Sequence, residues 1–99
     1  MLSRELFEGL QQAQRPGGWS VKLKAGGFYT PVKIELRAGR MEFNFSYFQP
    51  LIDEIKETFE DRRYHGYIED DGRKIWSAPI TQRNLFRLQY LMGKNTVSP

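Results

Sequence analysis

Four side chains whose type and spacing suit a binding surface stand close together in this sequence: Lys22, Lys24, Lys33 and Arg37. The positions alternating with them, Val21, Leu23, Val32, Ile34 and Leu36, are apolar. Successive side chains of a strand point to opposite faces, so turning the apolar set inward turns all four cations outward together. Residues 19–40 hold five basic groups against one acid, Glu35. Fixed cations on a twisted sheet attract phosphates whatever the base sequence. Trp19, Phe28 and Tyr29 stand at the margins of this surface, where bases could stack. The competing reading is a lysine-rich face that merely keeps the sheet soluble.

A second cluster lies near the C-terminus. Arg83, Arg87 and Tyr90 are spaced i, i+4, i+7 and share one helical face, away from Leu85, Leu88 and Met92. Arg73 and Lys74 precede them, and from Gly72 onward there are five basic residues and no acid. A guanidinium beside an aromatic ring can pair with phosphate or stack on a base; the competing reading is an ordinary polar helix face. Residues 50–71 behave oppositely, with eight acids and three basic groups, Lys56, Arg62 and Arg63. That segregation directs a polyanion toward the strands and the last helix, away from the acidic segment.

The same inventory argues against catalysis and metal binding. The 99 residues contain no cysteine and one histidine, so disulfides, zinc-thiolate centres and histidine-rich metal sites are excluded. Asp53-Glu54 and Asp70-Asp71 are adjacent carboxylates on an exposed helix face and in a turn, whereas acid–base work needs convergent groups with separated pKa values. There is no nucleophile elbow, phosphate loop or dinucleotide fingerprint. His65 is a candidate base with nothing beside it in sequence to orient it. No catalytic residue, cofactor or small-molecule substrate is expected.

The elements that must position these residues are legible in the patterning. A formal net charge of +3, 39% hydrophobic and 14% aromatic residues describe one small globular domain. Ser3 is an N-cap for a helix over 3–14, stopped by Pro16-Gly17-Gly18. Three alternating segments, 19–24, 32–37 and 41–45, joined by turns at Gly26-Gly27 and Ala38-Gly39-Arg40, predict an antiparallel meander. Pro50 suits the first position of a helix running to about Glu60, with Leu51, Ile52, Ile55 and Phe59 on its apolar face. Segments 64–68 and 73–77 flank Glu69-Asp70-Asp71-Gly72, a hairpin signal. Thr81 caps a last helix that stops at Gly93.

The expected fold is α+β: about five antiparallel strands packed on one face by the helices at 50–60 and 81–92, plus an N-terminal helix. Residues 1–17 form that helix and its linker, either docked or held apart as a handle for a partner. Residues 18–93 form the domain, and 94–99 a loose tail. No apolar run approaches the ~20 residues of a membrane span, and no signal peptide is evident, so an intracellular, cytoplasmic setting is expected.

From about Arg40 to Gly93 a spaced pattern carries a resemblance. It consists of the strand Met41–Phe45, then Tyr47-Phe48-Gln49-Pro50-Leu51-Ile52 leading into Ile55-Lys56, then Arg62-Arg63-Tyr64, Lys74-Ile75-Trp76, Pro79, and a closing helix with Asn84, Leu88 and Leu91 before Gly93. This order resembles the HARP-type accessory domain that precedes the motor of Swi/Snf-like annealing helicases and related phage and bacterial helicases. The resemblance implies a module that helps a helicase recognise branched or forked DNA. It directs attention to Arg62, Arg63, Lys74 and Trp76. The resulting expectation is a non-enzymatic DNA-binding module beside a helicase motor, with RNA a further candidate ligand. The alternative is a protein-interaction module, such as a small phage-type inhibitor or adaptor, that uses the acidic or N-terminal helix.

Overall fold

The computed structural model describes residues 2–68 and 73–93, the side chains of 66–68 and 73–74 excepted. Its order is α1 (Arg4–Ala13), β1 (Trp19–Ala25), β2 (Phe28–Arg37), β3 (Arg40–Ser46), α2 (Gln49–Thr58), β4 (Arg63–Ile68), β5 (Arg73–Pro79) and α3 (Gln82–Met92). The hairpin turn expected at 69–72 and the tail at 94–99 lie outside the described residues.

Local chemistry explains where each element begins. The Ser3 hydroxyl accepts a hydrogen bond from the Leu6 N–H at 3.1 Å, and the Thr81 hydroxyl accepts from Asn84 N–H at the same distance. Gly93 ends α3 with a φ of 80°. For α2 the cap is Phe48, whose side chain makes no capping bond, and Pro50 takes the second helical position rather than the first.

The first two hairpins turn on two residues each, with φ of 58° and 82° at Gly26 and Gly27 and of 53° and 76° at Ala38 and Gly39. Two successive positive φ values match the right-handed twist of the flanking strands. The Gly-Gly turn pairs Ala25 with Phe28, so β2 begins four residues earlier than the alternation at Val32 suggests. Pro31 consequently sits inside β2. It is tolerated because pairing with β3 begins only at Lys33, leaving residues 28–32 paired to β1 alone.

All neighbouring strands are antiparallel, in the order β1-β2-β3-β5-β4. The chain leaves β3, passes through α2 to the far edge as β4, and returns as β5 between β3 and β4. One row of partners, Trp19–Ile34–Phe43–Trp76–Tyr64, crosses the whole sheet on the core face. Leu6, Leu23, Ile34, Met41, Phe43, Leu51, Ile55 and Leu88 are fully buried in one cluster that includes residues of every helix.

The N-terminal helix is docked. Leu6 and Ala13 belong to the core, and Ser3 N–H donates to Gln89 Oε1 on α3. Gly9 makes this possible: a Cβ there would lie 2.2 Å from two ring carbons of Trp19. The apolar face is thus covered by three helices, where the patterning indicated two and left the place of α1 open.

Candidate nucleic-acid interface

The opposite face of the sheet carries the alternating polar residues. Lys22 and Lys24 project from β1, both exposed; Lys33 on β2 is half-buried. Among the described residues none of the three is in an ion pair. Arg37 shares the face but sits 3.4 Å from Glu42. Arg40, the fifth base of this stretch, is withdrawn: its Nε donates to Ser77 Oγ at 2.9 Å, and its Nη2 donates to the carbonyls of Ser77 and Asp61. The free positive charge is therefore concentrated at Lys22, Lys24 and Lys33, toward the β1 side.

Strand register gives these lysines polar neighbours. Ser20, Lys33 and Asn44 form a row across β1, β2 and β3. They border a shallow trough of about 410 Å³ that also includes Gly17, Pro31 and Ser46. Asn44 Oδ1 is buried there, without a hydrogen-bond partner among the described residues. Lys24 is paired across the strands with Tyr29, a half-exposed ring, and Phe28 beside it is 68% exposed. A backbone tracked by lysines with an aromatic at its margin is the arrangement that single-stranded nucleic acids use.

The remaining residues singled out from the sequence fall elsewhere. Arg83, Arg87 and Tyr90 border a second shallow groove with Thr58 and Phe86. This groove lies on the solvent side of α3, across the helix layer from the lysine face. There Arg83 Nη1 is 3.1 Å from Glu60 Oε2, so the acidic segment offsets one of the two cations, while Tyr90 is 71% exposed. Arg62 and Arg63 are exposed at the start of β4, the strand farthest from β1. Lys74 is paired with Phe45 and Tyr67 along the backbone; its side chain lies outside the described residues.

Two tryptophans are structural. Trp19 is buried under α1, with only its edge bordering the groove that Ser20, Lys22 and Tyr29 also line. Trp76 is buried on the core face, its ring 4.9 Å from that of Tyr64 and capped by Lys56 Nζ at 5.9 Å from the centroid. It offers no open ring to a base.

Two polar clusters escaped sequence reasoning, because their members are far apart in the chain. His65 Nε2 lies 2.6 Å from Ser77 Oγ, which already accepts from Arg40 Nε. The contact fits either ring tautomer, with Ser77 donating to the imidazole as in a nucleophile–base pair or accepting from it. Ser77 is 1% exposed, however, so no substrate carbonyl can reach its oxygen, and the cluster ties β3, β4 and β5 together. The second cluster centres on Asn84, which is fully buried. Its Oδ1 accepts from Glu60 N–H at 3.0 Å, and its Nδ2 donates to the carbonyls of Glu60 at 3.1 Å and Pro79 at 3.0 Å. Among the described residues no group of three or more acidic or histidine side chains is placed to hold a metal ion, and no helix is long and apolar enough to cross a membrane.

No family model, curated protein or solved structure matches this chain.

Proposed function

We propose that this domain is a non-catalytic nucleic-acid-binding module that holds single-stranded or forked DNA against its open sheet face. The observation that carries this reading is the placement of Lys22, Lys24 and Lys33 on one face, without carboxylate partners among the described residues. They stand beside the polar trough of Ser20, Asn44 and Ser46 and next to Tyr29. Phosphates would lie along the lysines, and a base would rest on Tyr29. Arg37 adds to the field once Glu42 is outcompeted.

The resemblance of residues 40–93 to the HARP-type domain supports a place beside a helicase motor, acting on DNA inside the cell. The cationic groove on α3 is a second contact for a forked substrate, with one arm on each side of the domain. The lysine face is the primary site, because Arg83 is already paired with Glu60.

A labelled 15-nucleotide single strand titrated at two salt concentrations tests the proposal. Each phosphate that the protein neutralises adds about 0.7 to the steepness of log K against log salt. Replacing Lys33 with alanine should weaken binding and make that dependence shallower. RNA of the same sequence competing more strongly than DNA would reassign the ligand, and absence of binding at low salt would refute the reading.

A further inference from the structure

The two edges of the sheet are built differently. At the β4 edge the register shifts between Tyr64 and Tyr67. Such bulges interrupt the ladder and are one way an exposed edge is kept from pairing. At the β1 edge the register runs without a break from Trp19 to Ala25, and among the described residues no backbone hydrogen bond reaches β1 from any segment other than β2. Seven residues of regular strand present about 23 Å of open ladder.

Along this edge runs a mainly apolar groove of about 580 Å³, bordered by Trp19, Val21, Pro31 and Met92, with Glu5 at its α1 side and Ser20, Lys22 and Tyr29 on its remaining border. Lys22 borders this groove as well, and Lys24 follows it on the same face of the strand, both without ion pairs among the described residues. By strand alternation an added strand would meet Trp19, Val21 and Leu23 on one face, and Lys22, at the rim of the groove, with Lys24 on the other.

We infer that β1 accepts an extended segment of a partner protein by strand addition, in which apolar residues alternate with acidic ones. The ladder supplies main-chain affinity and the alternate side chains supply selectivity. Apolar residues enter the groove beside Val21 and Met92, while the acidic ones stand opposite Lys22 and Lys24. A second copy of this chain is the wrong occupant. Two β1 strands paired antiparallel about their midpoint place Lys22 opposite Lys22, and like charges directly opposite destabilise a ladder.

The test uses a labelled peptide of alternating valine and glutamate, seven residues long. Its controls are the same peptide with lysine for glutamate and one with alternate backbone nitrogens methylated. The glutamate peptide should raise fluorescence anisotropy and protect β1 amides from hydrogen exchange, and both controls should bind weakly or not at all. Lys22→Glu/Lys24→Glu should lower affinity for the glutamate peptide about tenfold and raise it for the lysine peptide. Lys33→Ala, which weakens nucleic acid on the adjoining face, should leave the peptide unaffected, so the two readings fail separately. Equal binding of the methylated peptide, unprotected β1 amides, or self-association through β1 in the absence of peptide would each overturn the inference.

Discussion

Asn84 is the buried polar residue on which the connection between layers depends, and its replacement by alanine should be costly. The substitution removes three hydrogen bonds and leaves the Glu60 N–H and the Glu60 carbonyl without that partner, while the Pro79 carbonyl keeps the Thr81 N–H at 3.0 Å. An unsatisfied buried group costs about 1–3 kcal/mol. Because Glu60 itself is exposed, the low end applies to each of the two, giving about 2 kcal/mol in total. Against a whole-domain stability of about 5–15 kcal/mol this is large, and it corresponds to a fall in Tm of about 8–16 °C. Thermal unfolding followed by circular dichroism measures it.

The paired control is Arg83→Ala, which also releases Glu60 but removes only a surface ion pair with side chains 63% and 55% exposed; its cost should stay below about 0.5 kcal/mol. Asn84→Asp adds a check of sign. A carboxylate at this buried site faces two carbonyl oxygens, so its folded-state pKa is raised above the unfolded value. The variant should be closest to wild type in acid and lose stability as pH rises from the unfolded value toward that raised one. An Asn84→Ala cost under about 1 kcal/mol, or equal costs for Asn84→Ala and Arg83→Ala, would refute the reasoning.

Gly9→Ala should lift α1 from the sheet, since its Cβ would fall 2.2 Å from the Trp19 ring. The expected cost is about 1–3 kcal/mol, with a red-shifted Trp19 emission in a Trp76→Phe background. Ala38→Asn should stabilise the domain by about 0.5 kcal/mol, because asparagine tolerates positive φ better than alanine does. Chemical denaturation would show this as a higher midpoint at unchanged slope.

Much of the fold was legible because it depends on short-range patterning. Alternation at Trp19–Lys24 and Met41–Phe45, glycines at the turns, and hydroxyl caps at Ser3 and Thr81 all act within a few residues. What was hidden depends on partners distant in sequence. Insertion of β5 between β3 and β4 leaves no local mark, nor does the approach of Gly9 to Trp19, which requires knowing that α1 docks. The lysine face was legible from alternation alone. The withdrawal of Arg40 was not, since it needs Ser77 and Asp61 brought in from other elements. Trp76 and Trp19 have the same residue type as an exposed stacking platform, and only burial separates the two roles.

The proposal that the lysine face takes nucleic acid is tested most directly by salt-dependent binding of one labelled single strand to three proteins. For the wild-type domain, log K should fall with log salt at a slope of about −2 or steeper, as three phosphate contacts require. Lys22→Ala/Lys24→Ala/Lys33→Ala should lose most of that slope, whereas Arg83→Ala/Arg87→Ala should retain it. Binding that survives the lysine substitutions unchanged, or that disappears with the α3 arginines instead, would contradict the assignment of the lysine face.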